Sequence, residues 1–253
     1  MTEQPDNWQT PQNILVILAH PDDPEFFCGA TLARWARAGH HITYLLLTCG
    51  DKGFNPTTHP EMTPDKLCSI RHEEQYAAAK VIGAEAVHFM EYPDGYLTAD
   101  LDTRRAVVRE IRRFKPDILL TCDPQTLFAV YGINHPDHRA AAQAACEAVF
   151  PSAGSRLIFA DLLPAGYEPH DVKRLYIHGT EKSNTWVDVS ETLEIKIKAL
   201  QQHVSQIDPN EVGKWLTDWA ADEGKDKGMK YAESFRVMIL KRDEEEQAKI
   251  ETE

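Results

Sequence analysis

The chain has 253 residues, 42% of them hydrophobic and 26% charged, the composition of a globular protein able to bury a sizeable core. Twenty-seven basic against forty acidic residues leave a net charge of −13. That excludes duplex nucleic acid and anionic membrane as main partners, because both need a basic surface.

The N-terminal residues, Met1-Thr2-Glu3-Gln4-Pro5-Asp6, have neither a basic nor an apolar leader character. No run approaches the ~18 apolar residues of a membrane span. The five cysteines are odd in number and form no C-x-x-C pair, so no disulfide framework is expected. A reducing compartment, the cytoplasm, follows as the expected location.

Residues 1–12 read as a frayed arm. An apolar run over 13–19 predicts a buried strand, and Gly29 to Gly39 a helix over about 28–38. Ile42 to Thr48 form a second strand, followed by a loop rich in Gly and Pro over about 49–62. Thr63-Pro64-Asp65 open a long helix with a cap, a Pro in the first turn and an early acid. It ends at Gly83. A third strand (86–90), a Pro93-Asp94-Gly95 turn, a basic helix (103–114), a fourth strand (117–122) and an Ala-rich helix (135–149) follow. Further strands are expected at 156–160, 174–179, 185–189 and 235–240, and helices at 190–206 and 209–221.

This alternation predicts an α/β fold, a Rossmann-like and mostly parallel sheet with helices on both faces. Residues 1–240 form one domain, and 241–253 an acidic tail. In such a sheet ligands bind beyond the carboxyl ends of the strands. His20–Glu25, Cys49–Gly53, Tyr92–Leu97 and Asp123–His138 all fall on that rim. There is no G-x-G-x-x-G after the first strand, and carboxylates stand where a pyrophosphate would need N–H groups.

Two clusters on the rim carry the chemistry, His20-Pro21-Asp22-Asp23-Pro24-Glu25 and His135-Pro136-Asp137-His138. Imidazole and carboxylate suit zinc, iron or cobalt. His20, one of Asp22 and Asp23, and one of His135 and His138 make a three-ligand set. The spare carboxylate could take a proton from water, and the spare imidazole, tuned by Asp137, could stabilise an oxyanion. Lys214 to Trp219 place two Trp at i,i+4, which reads as a packing face or subunit contact.

At these residues the chain resembles the PIG-L/LmbE family of zinc-dependent N-acetylglucosaminyl deacetylases. Ala19–Glu25 match its A-H-P-D-D-x-E motif and His135–His138 its H-P-D-H motif. Arg71-x-x-Glu74, Pro93-Asp94-Gly95, His203-x-Ser205-Gln206 and Tyr231-Ala232-Glu233 add weaker likeness. The resemblance implies His20, Asp23 and His138 as ligands of Zn2+, with Fe2+ or Co2+ able to replace it. It implies Asp22 as general base, and His135 as electrostatic partner tuned by Asp137. Arg71 becomes a sugar or phosphate anchor and Asp94 a hydroxyl acceptor.

The implied substrate is an acetylated amino sugar, and the implied assembly a homo-oligomer, trimer or hexamer. The wording is closest to bacillithiol-pathway and diacetylchitobiose deacetylases. Ile133 stands where the mycothiol branch has a Tyr, and no His follows His203 to serve a neighbouring subunit. A non-haem iron oxygenase or a non-catalytic carbohydrate-binding protein are the rival readings. Each leaves part of the Asp22, Asp23, His135 and His138 set unexplained.

Overall fold

The computed structural model describes residues 8, 10–53, 60–129 and 132–241. The chain runs β1 (Asn13–Leu18), α1 (Asp23–Arg37), β2 (His41–Thr48), α2 (Pro64–Ile82), β3 (Ala86–Tyr92), α3 (Leu101–Phe114) and β4 (Ile118–Cys122). A short hairpin, β5 (Phe128–Ala129) and β6 (Gly132–Ile133), precedes α4 (Pro136–Glu147). Then come β7 (Arg174–His178), β8 (Thr185–Asp188), α5 (Leu193–Leu200), α6 (Val212–Gly224) and β9 (Ala232–Ile239).

The main sheet has the order β3-β2-β1-β4-β7-β9-β8. The first five strands are parallel, and β9 runs antiparallel to both β7 and β8. The expected α/β sheet is therefore present, with a mixed edge. β1 is apolar and buried from Ile14 to Leu18 because both its faces are covered. Ile14, Val16 and Leu18 pack in one core with Ala30 of α1, Ala78 of α2 and Ala199 of α5. Leu15 and Ile17 join Val107 and Ile111 of α3 and Ala141 of α4 in the other. The chain moves outward from β1 to β2 and β3, then returns to place β4 on the opposite side of β1. The crevice beyond β1 and β4 is thus the topological switch point, where open α/β sheets bind ligands.

The boundaries of α2 match the sequence signals. Thr63 Oγ1 accepts from Lys66 N, and Gly83 closes the helix at φ 94°. α1 begins at Asp23, five residues before the expected start, and is kinked at Cys28 (φ −142°). The kink frees two N–H groups, which the Glu233 carboxylate accepts from Ala30 (3.2 Å) and Thr31 (2.7 Å). Lys196 Nζ, 2.7 Å from Glu233, balances that buried charge. Thus Glu233, part of a family-like motif, ties β9 to the first helix.

Residues 156–160 are not a strand. The carbonyls around them are held by the buried Arg112 guanidinium, which donates to Ser152, Ala153, Ser155, Ile158 and Phe159. A side chain does there what a ladder would have done. The helix expected at 190–206 shortens to α5, and turns carry the chain on to His203. One disulfide, Cys49–Cys68, forms although none was expected. It joins the end of β2 to α2, a contact made by the crossover and invisible in residue spacing. Residues 242–253 of the acidic tail lie outside the described residues. No helix among the described residues is long and apolar enough to cross a membrane.

Replacing Arg112 by Leu strands up to five carbonyls and is expected to cost about 3 kcal/mol or more in urea unfolding. Arg112→Lys recovers only part of that loss, since an ammonium lacks the planar fork.

Buried His178 at the end of β7 has its pKa pulled down to about 4, first by burial and then by the Lys196 charge. Its neutral form is favoured on folding. The associated stability is complete above the ordinary value of 6.5 and is lost as pH falls from there toward 4. Over that window His178→Leu is expected to lose less stability than the parent chain in urea titrations at each pH.

Candidate active site

Beyond β1 the chain makes a tight corner into α1. Asp23 folds back, its Oδ2 accepting from Ala19 N (3.2 Å) and His20 N (2.9 Å). Its other oxygen lies 3.1 Å from His138 Nε2. Asp22 takes φ 88°, ψ −31°, a left-handed conformation uncommon for a residue with a side chain. Gln75 Oε1 holds its N–H at 2.9 Å, and Phe26 N donates to its carbonyl at 2.8 Å. The two neighbouring carboxylates therefore diverge. Asp23 enters the imidazole cluster, and Asp22 meets the Arg71 guanidinium at 3.1 Å.

The second cluster opens α4. His135 occupies the cap position, and its Nδ1 accepts from Asp137 N at 3.2 Å. A neutral His135 consequently carries its proton on Nε2. His138 Nδ1 lies 3.1 Å from Asn134 Oδ1, while Asn134 Nδ2 donates to Thr126 O at 2.9 Å and so fixes the amide. Nδ1 of His138 is then a donor, and its Nε2 faces Asp23. The ring centroids of His20, His135 and His138 are 4.7–5.4 Å apart, and one ring nitrogen of each lies within 4.8 Å of the others.

His20 is enclosed by acids. Its Nε2 is 3.1 Å from Asp94 Oδ1 and 3.5 Å from Asp137 Oδ2, and its Nδ1 3.5 Å from Asp23 Oδ2. Burial by itself lowers the His20 pKa, but hydrogen bonds to Asp137, Asp23 and Asp94 outweigh it and raise the value well above the usual range. Burial raises Asp23, yet the His138 charge and hydrogen bond bring it well below the ordinary carboxylate value. Asp94 is likewise lowered, since its hydrogen bond to His20 overcomes burial. His135 is lowered by burial and by the charges of His20 and His138. Asp22 is raised, mainly by burial and also by Asp23, against the opposing pull of Arg71. Buried carboxylates in excess, gathered with three imidazoles, are the donor set of a cation site.

The structure thus gathers His20, Asp22, Asp23, His135, Asp137 and His138 in one place. Three of the expected site residues have further partners in the fold. Arg71 is 3% exposed, donating to Gly50 O (2.9 Å), Pro21 O (2.6 Å) and Asp22 Oδ2 (3.1 Å). It braces Asp22 from a buried position. Asp94 is 4% exposed, with one oxygen on His20 and the other accepting from Lys52 N at 3.0 Å. It orients His20. The Asp137 carboxylate accepts from Gly95 N (2.7 Å) and Leu97 N (3.2 Å) beside His20, and its charge also works to raise the His135 pKa.

Asn134, Gln75 and Glu25 were not singled out as site residues. Gln75 Nε2 donates to both oxygens of Glu25 at 3.0 Å, and fully buried His203 lies 3.4 Å from the same carboxylate. Glu74 accepts from Ser205 N and Oγ, so it pairs with the His203–Gln206 turn and not with Arg71. His59 and Tyr131 lie outside the described residues.

A parallel sheet with imidazoles and carboxylates converging at its switch point defines an α/β protein with a His/Asp site able to hold a metal. The profile of the family described as PIG-L, GlcNAc-PI de-N-acetylase, matches residues 15–149, and the chain belongs to that family. It is 32% identical over 231 residues to a diacetylchitobiose deacetylase of Thermococcus kodakarensis, covering 90% of this chain and 83% of that one. It is 26% identical to a probable N-acetyl-α-D-glucosaminyl L-malate deacetylase 2 of Bacillus anthracis, over 77% of this chain and 81% of the other. Among solved structures it is similar to the N,N'-diacetylchitobiose deacetylase of Pyrococcus horikoshii complexed with its inhibitor MPG. That match has a TM-score of 0.84 at 25% identity and covers 96% and 91% of the two chains.

Asn134→Leu removes the acceptor that sets the His138 tautomer. It is expected to weaken metal binding by about 10–100-fold. Competition against a chromophoric chelator reads that loss.

Proposed function

We propose that this chain is a zinc-dependent hydrolase that removes the N-acetyl group from an N-acetylglucosamine-type sugar or glycoconjugate. The observation that carries the reading is the divergence of Asp22 from Asp23. One carboxylate is committed to the imidazoles, and its neighbour is held apart on Arg71. The likeness to deacetylases over nine-tenths of the chain supports the same chemistry.

His20, Asp23 and His138 would hold the metal. When bound there, zinc supplies a Lewis acid for the amide carbonyl and acidifies water. Asp22 takes the proton of the attacking water. Its raised pKa brings a carboxylate closer to neutrality, as a general base needs. Arg71 fixes one oxygen of that carboxylate. His135, kept neutral and protonated on Nε2, donates a hydrogen bond to the carbonyl oxygen as negative charge builds on it. Asp22, now a carboxylic acid, returns the proton to the leaving amine. Asp94 and Asp137 fix the His20 ring.

A cleft of about 720 Å³ adjoins His138, lined by Phe26, Trp215 and Trp219 and by Asp123, Asp218 and Glu223. Rings for sugar faces and carboxylates for hydroxyls suit a saccharide, and the volume fits one or two sugar units. Trp215 packs 5.0 Å from Phe26 and is 45% exposed, so it both supports the wall and faces the cleft.

The reading also carries a homo-oligomer of three or six copies. Phe128, Ile133, Phe150 and Leu157 are each at least 73% exposed, which supports a further interface. It keeps a cytoplasmic location, against which the Cys49–Cys68 bond weighs.

The test is free-amine release by metal-defined protein from N-acetylglucosamine, diacetylchitobiose and N-acetylglucosaminyl malate. Asp22→Asn is expected to lower kcat by about 10²–10⁴-fold with metal content unchanged. Unaltered turnover in that variant would sink the mechanism. Trp215→Ala is expected to raise KM for a disaccharide more than for N-acetylglucosamine, leaving kcat near the parent value.

A further inference from the structure

Four ligating side chains that the deacetylation chemistry does not use converge at the β2–α2–β3 edge. Cys68 and His72 stand one turn apart on α2 and share a face. They meet Cys49, just past β2, and Glu91 near the end of β3. One ligating atom of each lies within 4.8 Å of the other three. Cys68 Sγ is 3.7 Å from His72 Nε2 and 3.8 Å from Glu91 Oε2, and His72 Nε2 is 3.4 Å from Glu91 Oε1. A tetrahedral zinc shell, with Zn–S of about 2.3 Å and Zn–N or Zn–O of about 2.0–2.1 Å, has edges of roughly 3.3–3.8 Å. Cys68 and His72 therefore already stand at the edge length of such a shell, and the Glu91 carboxylate reaches each of them with a different oxygen. The edge between Cys49 and Cys68 is closed by their disulfide.

The backbone is arranged toward the same point. Glu91 has φ 58°, left-handed for a residue with a side chain, and lies where the pairing of β2 with β3 shifts register between Leu46 and Thr48. A bulge of that kind re-aims a side chain, and here a carboxylate is turned to the two sulfurs and the imidazole. The His72 ring is stacked on Phe89, centroids 3.8 Å apart at 25°, which fixes its orientation. Glu91 is exposed and His72 half-buried, leaving a path for an ion from solvent.

We propose that Cys49, Cys68, His72 and Glu91 form a second metal site, for zinc or another borderline-soft divalent cation, that exists only when the Cys49–Cys68 disulfide is reduced. Two thiolates with an imidazole select such ions over magnesium or calcium. A dithiol reductant delivers two electrons and two protons: the S–S bond breaks, two thiols form, and the reductant becomes a cyclic disulfide. Each thiol then loses its proton on binding the cation. Reoxidation by a disulfide oxidant reverses the exchange and expels the ion.

Either link, disulfide or metal, pins the residues after Cys49 to α2. Those residues serve the catalytic crevice. Gly50 O accepts from Arg71, Asp51 Oδ1 accepts from Asp94 N at 3.2 Å, and Lys52 N donates to Asp94 at 3.0 Å.

The test compares the full chain before and after reduction by a water-soluble phosphine, each equilibrated with cobalt(II) and freed of excess metal. The reduced protein is expected to retain one more cobalt per chain than the oxidised protein. That ion should show thiolate-to-cobalt charge-transfer absorption and tetrahedral ligand-field bands, both lost when zinc displaces it. Cys68→Ser and His72→Ala, each checked for folding by circular dichroism, are expected to lose the extra equivalent. Equal cobalt content in the two redox states overturns the proposal without any variant. So does an extra equivalent with no charge-transfer band, or one that persists in both variants.

Discussion

At Asp22 the chain adopts a left-handed turn, φ 88°, that costs a residue with a side chain about 1–3 kcal/mol. What that turn separates is the centre of the site. Two adjacent carboxylates in an ordinary helix start would both face the same crevice and repel. Here the inversion sends Asp23 back over its own loop, against Ala19 N, His20 N and His138, and sends Asp22 to Arg71. The strain is held in place by contacts on either side. Gln75 takes the Asp22 N–H, Arg71 takes its side chain, and the first turn of α1 takes its carbonyl. In the proposed mechanism this is the difference between a ligand and a base.

Holding that turn requires charge below the surface, and the charge is balanced layer by layer. Glu25 receives Gln75 and His203; Glu233 receives Lys196 and two helix N–H groups; Asp94 and Asp137 receive His20 and the N–H groups of Lys52, Gly95 and Leu97. Each buried acid has a donor, so each can remain ionised without the full desolvation cost. His20 is the place where acids outnumber bases, with three carboxylates within 3.5 Å. An electrostatic deficit of that sign, in reach of two further imidazoles, is what a bound cation would relieve.

Much of this was legible in the sequence because it is local. Apolar β1 and β2, the Thr63 and Gly83 ends of α2, and the two His/Asp clusters beyond β1 and β4 are each written in a few consecutive residues. The partners of those clusters were not. The sequence offers Arg71 as a sugar or phosphate anchor, and the fold also buries it against a loop 50 residues upstream. Asp94 looked like a turn residue, and the same crossover gives both its oxygens to the crevice. The disulfide, the Arg112 cradle and the Glu233 clasp on the α1 kink were hidden for the same reason, since each joins elements that only tertiary packing brings together. The helical spacing that begins at Gly29 missed the first turn of α1, where Pro24 stands as Pro is favoured to do.

The chemistry lies in one part of the chain, while the cleft draws on two, with Phe26, Asp123 and His138 from the same part and α6 from beyond it. His20, Asp22, Asp23, His135 and His138 all lie in the stretch that the family profile matches. The wall formed by His178, Trp215, Trp219 and Glu223 lies beyond it, on β7 and α6. α6 has few ties to the sheet of the first half. It packs its own small core with α5, through Leu216 and Ala220 against Leu193, Ile197 and Leu200, and reaches the crevice mainly through Trp215 and Trp219 against Phe26. A helix anchored in that way can change its exposed residues without disturbing the metal ligands or the Asp22 turn. The residues that α6 presents to the cleft, Trp215, Asp218, Trp219 and Glu223, thus rest on a separate support from the His/Asp cluster of the switch point.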